Sequence, residues 1–196
     1  MDKKTILYYE KNKDSFKKST QTLEFTQIQD LFLSYLKPHS KILDFGCGAG
    51  RDTKYFLSKH LEVDALDGSP AMCKIASEYC QIEVKNVLFE DFIPQEKYDG
   101  IWACSSLLHI PFNNLDSIFL KLHKALKKNG ILYVSFKLGT FEGYRNNRYF
   151  TDLTIEKLLL IPQIKTNFKI LKNFTSNDIR KNRENEKWLN VIMQKI

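Results

Sequence analysis

An acid followed by glycine at alternate positions stands in the run Asp44-Phe45-Gly46-Cys47-Gly48-Ala49-Gly50-Arg51. Glycine at that spacing lets a backbone take positive φ and approach a ligand without a Cβ in the way. The run is not a phosphate loop, because the lysine of G-x-x-x-x-G-K-[ST] is missing. It is not the dinucleotide fingerprint either, since G-x-G-x-G stands where G-x-G-x-x-G is required. Asp44, directly before the loop, would repel a pyrophosphate and suits a ligand with a positive group. A second acid, Asp67, opens Asp67-Gly68-Ser69-Pro70 after the next apolar run. In nucleoside-binding folds an acid there accepts hydrogen bonds from ribose hydroxyls. Its bland alternative is a turn residue before Gly68. A third acid, Asp91, follows a further apolar run, and His109 closes Cys104-Ser105-Ser106-Leu107-Leu108-His109. A lone histidine is more often structural, so a substrate-side role for it competes with that reading.

Each of these residues needs an element to carry it. Residues 42–45 predict a strand and 51–59 a helix, so the glycine loop is a strand-to-helix corner whose free N–H groups face one space. Residues 61–66 predict a second strand, with Ser69 as N-cap and Pro70 as first residue of a helix to about 80. Further strands are expected at 82–89, 98–104 and 131–136, with a helix over 114–128 closed by Lys127-Lys128-Asn129-Gly130. Residues 22–36 predict a helix stopped by Pro38. Residues 139–150 read as a polar, aromatic-rich loop, 154–160 as a short helix, and 168–174 and 188–193 as two closing strands. Strands alternating with helices predict an α/β fold: a doubly wound, seven-stranded, mostly parallel sheet with helices on both faces and an antiparallel edge. Its ligand belongs outside the C-terminal strand ends, where every motif above lies. The expected organisation is one domain over 1–196, with 1–37 as N-terminal lid and helix and 38–196 as core.

The loop resembles motif I of class I S-adenosylmethionine-dependent methyltransferases, and residues 41–136 resemble the core of that family throughout. The resemblance implies S-adenosyl-L-methionine as cofactor, held by Asp44, Gly46, Cys47, Gly48, Gly50 and Arg51 of the loop and by Asp67, Gly68, Ser69 and Met72 after the second strand. It implies Asp91 and Phe92 at the adenine, Ala103 and Cys104 beside the methionine part, and Tyr9 as part of a lid with Tyr8 and Phe16. His109 would sit near the transferred methyl as first candidate for a general base, Tyr149 as second, and Arg148 could pair with an anionic substrate. The 101–110 segment lacks the [DN]-P-P-[YFW] signature of enzymes that methylate exocyclic amines of DNA bases or glutamine amides. The runs Ser135-Phe136-Lys137-Leu138-Gly139, Arg148-Tyr149-Phe150-Thr151-Asp152 and Glu186-Lys187-Trp188-Leu189-Asn190 look like small bacterial methyltransferases grouped with tellurite-resistance methyltransferases. The implied activity is transfer of a methyl group to a small-molecule or metalloid acceptor by in-line displacement. The same class acting on RNA or protein, and a non-catalytic cofactor-binding partner subunit, stay open. A nicotinamide-dependent oxidoreductase is disfavoured by the glycine spacing and Asp44.

Composition sets outer bounds. The 196 residues are 43% hydrophobic and 27% charged, ordinary for a globular domain. No run reaches the roughly 20 apolar residues of a membrane span, and the polar start Met1-Asp2-Lys3-Lys4 has no signal-peptide core, so a cytoplasmic location is expected. The four cysteines form no C-x-x-C and share no zinc-ligand spacing with a histidine, so no metal is expected. The net charge of +7 fits an acidic partner such as RNA, but only five arginines are present and no basic run is interleaved with aromatics. A small-molecule substrate is therefore expected, with no membrane partner and an oligomeric state the residues leave open.

Overall fold

The computed structural model describes residues 2–95 and 97–196. Its frame is a seven-stranded sheet of order β3-β2-β1-β4-β5-β9-β8, formed by β1 Lys41–Phe45, β2 Glu62–Asp67, β3 Val84–Asn86, β4 Tyr98–Ala103, β5 Leu126–Lys137, β8 Phe168–Asn177 and β9 Lys187–Lys195. The first five run parallel; β9 pairs antiparallel with β5, and β8 antiparallel with β9. The chain reverses its lateral direction between β1 and β4, the place where an open α/β sheet leaves a crevice at its strand ends.

The central strands β1 and β4 and most of β5 are buried on both faces, as parallel sheets require. Ile42 joins a core layer with Phe32, Phe56, Trp102 and Tyr133, in which Trp102 and Tyr133 stack at 3.9 Å. Leu43 and Phe45 point the other way, into the larger layer with Phe119, Leu122 and Phe136. The helices α4 Arg51–Ser58, α5 Pro70–Cys80 and α6 Phe112–Ala125 connect successive strands. Ser69 caps α5 through its Oγ, which accepts from Met72 N at 3.2 Å, and Pro70 sits where its missing N–H costs nothing.

Four local outcomes differ from the expectations. Residues 2–21, polar apart from scattered aromatics, form α1 Lys3–Lys11 and α2 Lys13–Thr20, ahead of α3 Thr26–Leu33. The strand expected over 82–89 is only β3, because its neighbour β2 ends at Asp67, opposite Asn86. Beyond that point the ladder has no partner, and Phe89–Asp91 close into a 3-10 turn. The expected loop at 139–150 holds a hairpin, β6 Glu142–Arg145 and β7 Arg148–Thr151, turned by Asn146 and Asn147 with φ of 48° and 62°. Asparagine tolerates that left-handed region, which suits a two-residue hairpin turn. Residues 126–130, expected to close the helix before them, instead begin β5, and α6 stops at Ala125; the expected short helix is α7 Ile155–Leu158, followed by α8 Pro162–Asn167. Among the described residues no helix is long and apolar enough to cross a membrane.

Candidate active site

One cavity opens above the C-terminal ends of β1, β2, β4 and β5. Its floor is the glycine loop. Gly46 has φ of 91°, and a Cβ there would stand 2.4 Å from Ser106 Cβ, so this position brings the first and fourth strand ends together. Gly48, with φ of 54°, faces Phe16, which a Cβ would approach to 3.2 Å. Asp67 holds the loop's shape: Gly48 N donates to its Oδ2 at 2.9 Å and Ser69 N to its Oδ1 at 2.8 Å. Burial pushes the Asp67 carboxyl up, while those backbone donors oppose the shift.

Met72 and Phe89 line one wall, Cys104, Ser105 and Ser106 another. The Ser106 hydroxyl is buried without a hydrogen-bond partner. His109 stands above them, 4% exposed. Its Nδ1 lies 2.6 Å from the Tyr149 carbonyl oxygen, which can only accept, so Nδ1 carries the proton. Nε2 is then the acceptor, and the Tyr9 hydroxyl donates to it at 2.8 Å. Burial pushes the His109 pKa down to about 4, the Arg148 charge acts the same way, and the Tyr149 carbonyl opposes both.

Helix α1 roofs the cavity. Besides the Tyr9–His109 bond, Glu10 Oε1 accepts from Ser69 Oγ at 2.5 Å and from Ala71 N at 3.0 Å, so its carboxylate sits on the N-terminus of α5. That is the end of a helix where negative charge is favoured. Tyr149 N donates to Thr5 Oγ1 at 3.0 Å, and after α2 the Gln21 amide donates to Ala49 O in the glycine loop at 2.8 Å.

The expected site residues divide. Tyr9, Gly46, Cys47, Gly48, Arg51, Asp67, Met72, Cys104, His109 and Arg148 meet around this cavity. Gly50, Gly68, Ser69 and Ala103 lie just behind it and shape the chain; Ser69 and Ala103 are fully buried. Asp44 is also behind the wall: it accepts from Thr53 Oγ1 at 2.6 Å, and burial together with the charge of Asp52 raises its pKa to about 8. Asp52 takes the wall position instead, accepting from Gln29, Arg51 and Trp102.

Asp91 and Phe92, expected at the adenine, do not line this cavity. The shortness of β3 turns the chain early, leaving Asp91 exposed outside the cavity and burying Phe92 against Phe45 at 5.2 Å. Phe89, stacked on Phe45 at 4.5 Å, is the ring that reaches the cavity. The Tyr149 side chain does not line it either: its hydroxyl donates to Glu142 Oε1 at 2.9 Å, and burial with that carboxylate raises its pKa to about 12. Its contribution to the site is the carbonyl that fixes the His109 tautomer. Sequence reasoning missed Glu10, Phe25, Arg180 and Arg183, which come from segments with no motif, and Asp52 and Phe89, which stand next to motifs; for Lys137, the position at the end of β5 was the available signal.

Residues 43–132 match a family model described as a methyltransferase domain. A phosphoethanolamine N-methyltransferase of Plasmodium falciparum is 27% identical over 137 residues, which cover 62% of this chain and 51% of that one. The chain thus spans about half the length of this relative. Among solved structures, the N-methyltransferase NodS of Bradyrhizobium japonicum, in complex with S-adenosyl-L-homocysteine, superposes with a TM-score of 0.76 at 16% identity, covering 99% of both chains. Strand order and superposition show that the chain shares the fold of this methyltransferase structure, and the domain match covers residues 43–132 of it. The chain is also similar in fold to TehB of Haemophilus influenzae, with a TM-score of 0.74 and 17% identity over 93% of this chain and 66% of that one.

The site's residues fit the kind of ligand that NodS holds. A bare-backbone corner, a cavity-facing carboxylate at Asp67, apolar Met72 and Phe89 beside it, and the orphan Ser106 hydroxyl form a cradle for a nucleoside with polar and apolar parts.

Proposed function

We propose that this chain is a cytoplasmic methyltransferase that uses S-adenosylmethionine to methylate a small acceptor. The observation that carries the reading is the continuity of one cavity, from the glycine corner and Asp67 past His109 to Arg148. Its four cysteines are free, which fits a reducing compartment.

When bound, S-adenosylmethionine supplies a methyl group already activated by its sulfonium. The protein's part is orientation and enclosure. Asp67 accepts from ribose hydroxyls, the backbone at Gly46 and Gly48 lets the ligand approach, and Met72 and Phe89 flank the adenine. Tyr9 and Phe16, carried by α1 and α2, exclude water from the reacting centre. Alignment of this kind can supply roughly 7–11 kcal/mol of rate acceleration. His109 is neutral, and its Nε2 lone pair is taken by the Tyr9 hydroxyl. Its low basicity suits an acceptor that arrives deprotonated better than one that must be deprotonated in place.

The α1 roof, tied down at Tyr9 and Glu10, covers the cavity and supports a small acceptor over a polymer. Titration calorimetry with S-adenosylhomocysteine should show one site per chain with affinity in roughly the micromolar range. Incubation with methyl-labelled S-adenosylmethionine and fractionated cell extract should place label in the small-molecule fraction. Label in RNA or protein would overturn the choice of acceptor, and absence of cofactor binding would overturn the reading itself.

A further inference from the structure

The cavity has a second end that the cofactor reading does not use. It lies where β5, β8 and β9 finish, and its side chains are Lys137, Arg148, Asp178, Arg180, Arg183 and Trp188. Asp178 is committed to Arg180 and, at 3.6 Å, to Lys137. Glu186, on the rear wall, is committed to Lys137 and, at 3.7 Å, to Arg183. Four cations thus face two carboxylates, and the surplus is concentrated at Arg148.

Arg148 is 7% exposed, and its Nε has no hydrogen-bond partner. Among the described residues no carboxylate pairs with it. Its guanidinium carbon lies 4.4 Å from the Tyr8 ring centroid and 5.0 Å from that of Phe150. These rings shield the cation from water and interact with it favourably. They accept no in-plane hydrogen bond; the guanidinium also leans on the Tyr9 hydroxyl, which leaves Nε as the donor with no partner. A buried cation with an unused donor is costly unless something pairs with it. The neighbourhood shows the same surplus: burial and the charges of Arg180 and Arg148 hold Arg183 below its ordinary pKa. Burial likewise lowers Lys137 to about 8, with Arg180 and Arg183 adding to the shift.

We propose that this end of the cavity is an anion site, in which Arg148, supported by Arg183, grips the oxyanion or carboxylate group of the methyl acceptor. The proposal rests on the cofactor occupying the glycine end, and it narrows the acceptor to a small acid. The planar guanidinium fork matches a carboxylate or tetrahedral oxyanion through paired N–H donors. His109 and Tyr9 lie between the two ends, so an anion held at Arg148 presents its remaining atoms to the region beside the glycine loop.

The test uses the full chain, with and without saturating S-adenosylhomocysteine, titrated calorimetrically with inorganic phosphate, benzoate and the matched neutral benzamide. Phosphate or benzoate should bind and benzamide should not. Phosphate alone identifies an inorganic-type oxyanion, and benzoate alone a carboxylic acid. Arg148→Met should weaken the bound anion by about tenfold or more while leaving S-adenosylhomocysteine affinity unchanged. Arg183→Gln, at a more exposed position, should weaken it several-fold and guards against a folding defect in the buried variant. Equal binding of benzamide and benzoate, binding of neither anion, or anion affinity unchanged in both variants would overturn the site. Loss of S-adenosylhomocysteine affinity in Arg148→Met would overturn it too, by assigning the guanidinium to the cofactor's own carboxylate. A wild-type chain that binds anion but ignores S-adenosylhomocysteine would sink the cofactor reading and keep the anion site.

Discussion

The Tyr9 hydroxyl donates to His109 Nε2 at 2.8 Å, joining residues 100 positions apart in the chain. This bond closes α1 over the cavity and, with the Tyr149 carbonyl on the other ring nitrogen, holds His109 neutral.

His109 should therefore titrate far below an ordinary histidine. An imidazole resonance followed by NMR should show a midpoint near pH 4. Because the folded pKa lies below the unfolded value, the unfolded state binds more protons between the two. The resulting stability, about 3 kcal/mol, is complete above roughly pH 6.5 and is lost as pH falls toward 4. His109→Gln should flatten that part of the stability-against-pH curve. Tyr9→Phe should loosen α1 and weaken S-adenosylhomocysteine binding by roughly fivefold, the size of one hydrogen bond of about 1 kcal/mol. A midpoint near 6.5, or unchanged affinity in Tyr9→Phe, would mean that the roof is open in solution.

Asp67 carries two jobs in this arrangement, bracing the loop at Gly48 and facing the proposed ribose position. Asp67→Ala should reduce cofactor affinity by roughly a hundredfold, since hydrogen bonds to a charged group are each worth about 1.5–3 kcal/mol. Asp67→Asn, which keeps one acceptor oxygen, should fall between it and wild type. Calorimetry separates the three, and a variant that binds normally would remove the ribose assignment.

Asp44 makes an opposite kind of prediction. Its carboxyl is buried beside Asp52, and its folded pKa, about 8, lies above the unfolded value. Such an acid is tolerated protonated, and the fold loses stability as pH rises from roughly 4 through 8. Asp44→Asn keeps an acceptor for Thr53 and removes that loss. Its melting temperature at pH 7.5 should exceed wild type by roughly 2–4 °C for each kcal/mol recovered. A lower melting temperature at every pH would show that Asp44 is ionised and held by Thr53.

Much of this molecule was legible in local chemistry. Alternate glycines with an acid before them forced a strand, a positive-φ corner and a helix start, and Ser69-Pro70 marked the next helix with its cap. Apolar runs of strand length between helical stretches gave the doubly wound sheet, because a parallel strand must be buried on both faces. These features depend on neighbours within a few residues, so a one-dimensional reading reaches them. Tertiary structure decided which side chains share the cavity. Phe89 rather than Phe92 reaches it, because β3 stops where β2 stops. Asp52 lines it while Asp44, bonded to Thr53, stands behind the wall. Glu10, Arg180 and Arg183 carry no motif, and they matter only because α1 packs on α5 and the segment after β8 returns to the sheet's C-terminal edge. Arg148 was visible as a residue, but whether a carboxylate neutralised it depended on contacts across the whole fold, and the sequence has no local term for that.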